Sequence, residues 1–351
     1  LLKSFRYLLF PFSLIYGAVI LLRNFLFDKN ILKSASFNFP LICVGNLAVG
    51  GTGKTPMTEY LATLLKKKYK TATLSRGYKR KTKGFAIAGA NTTAIDIGDE
   101  PMQFHQKFPD VVVAVGEERL VAIPQLLHDR PETEVIILDD AFQHRSVKAG
   151  LNILLTEYGN LYSRDLMMPA GDLRDVKSSH KRADIIIVTK CRADLPISEK
   201  EAIQKSLDIL PHQKLFFTEI LYAPPYHLFN KSFANIGSTT DLLLVTGIAN
   251  PKPLMNFITG HVHSYEMLRY ADHHIFTSTD LKDIKKHFNS LPENDRMILT
   301  TEKDAVRLEK FRADLADFPV YVLPVKHSFL FNEGSVFDKI VIDFVSSFKK
   351  N

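Results

Sequence analysis

The chain has 351 residues, 46% hydrophobic and 24% charged, with a formal net charge of +7. That length suits about two domains, and the composition excludes a chain that is mostly disordered. The basic balance favours anionic partners: nucleotides, nucleic acid or an acidic membrane surface.

The first distinct segment, YLLFPFSLIYGAVILL at 7–22, carries no charge and is bracketed by Arg6 and Arg23. As a helix it spans about 24 Å, short of the roughly 30 Å hydrocarbon core, and Pro11 works against a straight rod. We expect residues 1–27 to be an anchor helix that dips into a membrane from its cytoplasmic face. A buried core helix and a full span are the alternatives. A secretory signal fits poorly, because the next element has the form of a site for a cytosolic ligand.

FPLICVGN at 39–46 reads as a buried strand, and NLAVGGTGKTPMTEYL follows it. The pattern is that of a phosphate-binding loop, except that Ala48 replaces the first consensus glycine. Gly50, Gly51, Thr52 and Gly53 can turn consecutive backbone N–H groups towards an anion at the start of a helix. Lys54 would reach the terminal phosphates of ATP, and the Thr55 hydroxyl would hold Mg²⁺. A glycine-rich helix cap without a ligand is the alternative. A helix is expected over 54–67.

Lys66, Lys67, Lys68, Lys70, Arg76, Lys79, Arg80, Lys81 and Lys83 then form a basic run, either solvated or facing anionic lipid. No aromatic-interleaved motif accompanies it, so no nucleic-acid partner is expected. Further strands are expected at TATLSRG (71–77), VVVAVG (111–116), EVIILDD (134–140), LNILLTE (151–157) and ADIIIVTK (183–190), with a helix over 117–128. Strands this apolar suit a parallel sheet covered on both faces.

GDEP at 98–101 sets Asp99 and Glu100 after a glycine. One acid could accept a proton while its neighbour supports a metal, although helix-start acids favoured by the dipole have the same spacing. Asp139 and Asp140 end the strand at 134–140, where open α/β sheets bind ligands and a carboxylate can serve a magnesium shell. On their own they are equally consistent with a helix cap. Thr189 and Asp194 spoil the guanine-reading pattern after the strand at 183–190, which favours ATP.

LYAPPYHLFN (221–230) interrupts the alternation, so we expect a P-loop nucleotide-binding domain over 28–220, a linker over 221–240, and a smaller α/β domain over 241–351. Within the last, YADHHIF carries Asp272, His273 and His274; a histidine there could tune a carboxylate or simply lie at the surface. Cys43 and Cys191 lack metal-ligand spacing and read as reduced thiols.

Taken together, VGNLAVGGTGKTP (44–56), LSRGYKR (74–80), GDEP (98–101), DDAFQHR (139–145), MPAGDLRD (168–175), DHH (272–274) and TTEKDAVRL (300–308) resemble the tetraacyldisaccharide 4′-kinase family over nearly the whole chain. The resemblance implies a P-loop NTPase-like, doubly wound α/β/α domain and a smaller C-terminal α/β domain, closing over the nucleotide. It implies transfer of phosphate from ATP to the 4′-hydroxyl of an acylated glucosamine disaccharide 1-phosphate at the cytoplasmic face of the bacterial inner membrane, giving the lipid A precursor lipid IVA. No obligate protein partner is implied. Lys54 and Thr55 match the phosphate and magnesium ligands, Asp99 the general base, His273 the histidine that positions it, and Glu100, Asp139 and Asp140 the metal-site acids. Arg76, Gln143 and Arg174 match phosphate or substrate contacts. Asp172 stands where the family often has proline, and Asp175 where it commonly has glutamate. The alternative function is a membrane-associated P-loop NTPase switch without a lipid acceptor.

Overall fold

The computed structural model describes residues 6–292 and 295–348; the first five residues of the expected anchor lie outside them. An apolar helix, α1 (Phe10–Asp28), precedes an α/β body containing two main sheets.

The larger sheet is built from β1 (Leu41–Asn46), β2 (Thr71–Ser75), β3 (Val112–Val115), β4 (Val135–Asp139), β5 (Leu151–Glu157), β6 (Ile185–Thr189), β7 (Lys214–Tyr222) and, from far along the chain, β12 (Val325–Phe329). Its order is β12-β7-β6-β5-β1-β4-β2-β3, with the short strand Ala86–Ile87 at the far edge. All neighbours pair parallel except β12 on β7 and the short strand on β3.

Alternate residues of the central strands enter opposite cores. Leu41, Cys43, Ile136 and Leu138 pack on one side with Ala122, Ile123 and Leu126 of α4 (Arg119–Asp129) and Ile203 of α5 (Ile197–Ser206). Ile42, Val44, Val135 and Ile137 pack on the other with α2 (Lys54–Leu65), α3 (Asp99–Lys107) and α9 (Gly334–Ser347). Two covered faces explain why these strands are apolar at every position instead of every second one.

The smaller sheet has β8 (Asp241–Thr246) at its centre, flanked by β9 (Ser264–Arg269) and β10 (Arg296–Thr301), then β11 (Val320–Leu323). The expected linker is partly built into the sheets: Leu221 and Tyr222 belong to β7, and Tyr226–His227 pairs with β11. Helices α6 (Lys252–Thr259), α7 (Ser278–Ser290) and α8 (Glu302–Leu308) cover this sheet.

The expected second unit of 241–351 is too long at its end. After β11 the chain returns to the larger sheet, where β12 pairs with β7 and Phe337, Val341 and Val345 of α9 fill the core beneath α2. The smaller unit is therefore an insertion, and the terminal segment completes the larger one.

Helix α1 carries the apolar segment expected of an anchor. Tyr7–Asp28 is long and apolar enough to cross a membrane, yet little of it is buried. Its buried residues are Ser13, Gly17 and Asn24, whereas Phe12, Leu14, Ile15, Val19, Leu21, Leu22 and Phe25 are exposed. The polar stripe faces the body and the apolar face looks outward, the reverse of a core helix.

Candidate active site

Gly50 and Gly53 take φ of +100° and +86°, the left-handed region that a side chain at these turns would strain. The Asn46 amide donates to Thr52 Oγ1 at 2.9 Å, and Thr189 Oγ1 donates to Thr52 O at 2.8 Å. His327, from β12, donates from Nε2 to Gly53 O at 2.9 Å and accepts at Nδ1 from the Thr218 hydroxyl at the same distance. Because a carbonyl only accepts, that tautomer is set by its neighbours. The loop is thus braced on three sides before any ligand enters.

Lys54 leaves the loop with its Nζ 3.8 Å from Asp140 Oδ1. Burial lowers its pKa, opposed by the charges of Asp140, Asp139 and Glu100, so these groups share one field. Asp139 ends β4 in the core and accepts from Thr58 Oγ1 at 3.0 Å. Burial first, and then the neighbouring Asp140 charge, push its carboxyl up to about 6. Asp140 has φ of +49°, a turn that aspartate tolerates. Burial alone would raise its pKa, yet Lys54 and Arg174 overcome that and hold it below the usual value. Arg174 grips both carboxylate oxygens, Nη1 lying 3.2 Å from Oδ2, and also donates to Asn46 Oδ1 at 2.6 Å.

Asp99 and Glu100 open α3, after Gly98 at φ +94°, where a Cβ would stand 2.9 Å from Tyr78 O. His273, itself at φ +63°, approaches from the smaller unit with Nδ1 2.9 Å from Asp99 Oδ2. Lys303 Nζ lies 3.0 Å from the Nε2 of the same ring. An ammonium can only donate, so Nε2 accepts from Lys303, while Nδ1 stands 2.9 Å from both Asp99 Oδ2 and Arg307 Nη2. Arg307 reaches Asp99 as well, Nε donating to Oδ1 at 2.9 Å and Nη2 to Oδ2. Burial would raise the Asp99 carboxyl, but the bonds from Arg307 and His273 more than reverse it. His274 instead bonds Asp280 at 2.9 Å and stacks on Tyr270, so His273 is the member of the pair at the site.

Three residues matched to phosphate or substrate contacts differ in placement. Arg174 lies in the site as described. Arg76 is exposed just past β2. Gln143 has its amide nitrogen tied to Asn46 O at 2.7 Å, while its own backbone carbonyl accepts from Arg23 at 3.0 Å. It joins α1 to the end of β1, and within the described residues its amide nitrogen is engaged by backbone.

Asp172 and Asp175 both hold the N-terminal helix. Arg6 pairs with Asp172 at 2.9 Å, and Asn24 donates to Asp175 at 2.9 Å. Asp175 also accepts from Ser179, Val176 N and Arg182. Tyr16 donates to Arg174 O at 3.1 Å, so α1 grips the very loop whose arginine holds Asp140.

A sequence model of the family described as tetraacyldisaccharide-1-P 4′-kinase matches residues 5–344. The chain belongs to the tetraacyldisaccharide 4′-kinase family. It is 46% identical over 351 residues to the tetraacyldisaccharide 4′-kinase of Phocaeicola vulgatus, covering 98% of this chain and 96% of that one. To the Flavobacterium johnsoniae kinase it is 47% identical over 344 residues, with 97% of each chain covered. Among solved structures it resembles LpxK of Aquifex aeolicus, described as an "apo" form in complex with ATP, with a TM-score of 0.77 at 28% identity. That match covers 97% of this chain and 99% of the other.

Membership makes this 4′-kinase an ATP-dependent enzyme of lipid A biosynthesis acting on tetraacyldisaccharide 1-phosphate. A nucleotide switch without a lipid acceptor is set aside. The placement of Arg307, Lys303 and His327 beside these residues was not expected from the sequence. Arg307 and Lys303 stand in TTEKDAVRL, a motif that carried the resemblance but no role, and His327 has no motif around it.

Proposed function

We propose that the larger unit is a P-loop NTPase-like nucleotide domain in which residues 50–55 cradle the phosphates of ATP and Asp99 accepts the proton of the acceptor's 4′-hydroxyl, yielding lipid IVA. The observation that carries this reading is the meeting of Asp99, from the start of α3, with His273 from the other unit at 2.9 Å. Phosphoryl transfer depends on placement and charge more than on covalent help. Lys54 supplies a buried positive charge, and Arg174 keeps Asp140 ionised and fixed beside it.

The donor set suits Mg²⁺, being all hard oxygen: Thr55, Glu100, Asp139 and Asp140. Among the described residues no three histidine, cysteine, aspartate or glutamate side chains converge as a ready-made cage. Magnesium is usually held by one or two carboxylates together with substrate phosphates, so such a cage is not required. The field that the neighbouring Asp140 places on Asp139 is the kind a dication relieves. When bound, the ion would neutralise charge on the phosphates undergoing transfer.

The outward apolar face of α1 supports residence on a membrane, which we assign to the cytoplasmic face of the inner membrane, where both ATP and an acylated acceptor can be reached. We take the two units to close on each other over the nucleotide.

Labelled ATP incubated with the purified kinase and tetraacyldisaccharide 1-phosphate should place label on the lipid. Lys54→Ala should lower turnover by about two or more orders of magnitude, as expected when a transition-state charge contact is lost. Asp99→Asn should lower kcat while leaving KM for ATP largely intact; unchanged kcat would move the base elsewhere.

A further inference from the structure

The two units meet at Asp99, and the contact is made mainly by one short helix. Lys303 and Arg307 lie four residues apart on α8, hence on one face. Arg307 is 7% exposed and Asp99 9%. Arg307 approaches both carboxylate oxygens, and its Nη1 donates to His274 O at 3.3 Å. Lys303 holds the far nitrogen of His273 and lies 3.7 Å from Glu100. Behind the guanidinium stands Asp304, fully buried and bound by Gly247 N and Thr246 Oγ1, with its Oδ1 3.8 Å from Arg307 Nη1.

We propose that Arg307 is a positioning residue for phosphoryl transfer: gripping both oxygens of Asp99 from the smaller unit, it makes closure of the two units orient the carboxylate that faces the acceptor. The proposal rests on the reading of Asp99 as the base. A carboxylate on a short side chain turns freely about its last bond unless both oxygens are engaged. The planar guanidinium fork matches that geometry, whereas an ammonium is a single point of charge. His273 alone would fix one oxygen, Oδ2, and leave Oδ1 unassigned.

The nucleotide-side contacts lie within the larger unit. Lys54 with Asp140, Arg174 with Asp140 and Thr58 with Asp139 do not involve α8. Loss of Arg307 should therefore fall on kcat and spare ATP binding.

The test measures kcat and KM for ATP with the lipid acceptor in Arg307→Met, Arg307→Lys, Asp99→Asn and the double variant Asp99→Asn/Arg307→Met, with thermal unfolding of each. Arg307→Met is expected to lose about 10- to 100-fold in kcat, the scale of a reacting group misplaced by about 1 Å, with KM for ATP unchanged. Arg307→Lys should recover part of that loss. The double variant should be no slower than Asp99→Asn alone, because the arginine acts through that one carboxylate. If the two losses multiply, or if Arg307→Met raises KM for ATP as much as it lowers kcat, the positioning role is overturned while Asp99 stands. If Arg307→Met unfolds early, Arg307→Lys compared with and without the Asp99→Asn change decides by the same rule. Full kcat in Asp99→Asn alone would overturn the base assignment, and this proposal with it.

Discussion

At the scale of residues, His327 shows how one side chain from a distant strand stabilises the glycine-rich loop. Buried between Gly53 O and the Thr218 hydroxyl, it is held neutral, and burial drives its pKa down to about 4. A histidine depressed in the folded state contributes stability above its unfolded value near 6.5 and loses it as pH falls towards about 4. Urea unfolding of the wild type should therefore weaken across that interval relative to His327→Phe, which has nothing to protonate. The same variant leaves Gly53 O without its donor and should raise KM for ATP several-fold, about the effect of one lost hydrogen bond. Gly53→Ala should be worse, because its Cβ would lie 3.1 Å from the His327 ring at a φ of +86°.

At the scale of elements, the docking of α1 on the body was the feature least legible in the sequence. Its apolar run was legible, but its docking was not: Ser13, Gly17 and Asn24 look like minor interruptions in a hydrophobic stretch until their partners are placed. Those partners, Ala170 N, Asp175 and Ser179, lie about 150 residues away, beyond any local pattern. An anchor that serves only as a membrane tether could be removed without harm to the fold. Removing this one should expose Asp175 and release the loop bearing Arg174, since Asn24 and Tyr16 bond them. Asn24→Ala should cost about 1–3 kcal/mol, as expected when a buried carboxylate loses a donor, and should leave vesicle binding intact. Leu14→Ser/Ile15→Ser should do the opposite, weakening partition into anionic vesicles with little change in melting temperature. By contrast, the glycine-rich turn before α2 and the strand β4 were legible as local structure, because contiguous residues make both.

At the scale of the whole molecule, the two units share a buried ionic seam behind the site. Lys107 on α3 lies 2.7 Å from Glu59 on α2 and 2.5 Å from Glu302 on α8. Gln103 donates to Glu59 at 2.7 Å. Two acids share one lysine here, and burial together with the Glu302 charge pushes Glu59 up to about 7. A carboxyl raised in the folded state contributes stability that is full below its unfolded value and lost as pH rises through the folded one. The wild type should therefore gain stability relative to Glu59→Gln as pH falls from about 7 to about 4.5, measured by melting at matched ionic strength. Sequence order hid this seam, since its members are separated by as many as 243 positions, from Glu59 to Glu302. It also hid the bipartite nature of the larger unit, because β12 reads locally as a continuation of the strands before it.

That interrupted path through the larger sheet has a consequence for synthesis. Chains fold largely from the N-terminus as they emerge, and domains generally fold as units. Here the inserted unit has every one of its strands in hand before its host does, since β12 and α9 come last. The carbonyl of Gly53 waits for His327, 274 positions later, to receive its donor. A chain that stops short of Val325 would keep the residues of the glycine-rich loop and still lack an edge strand, a core helix and the ring that braces the loop.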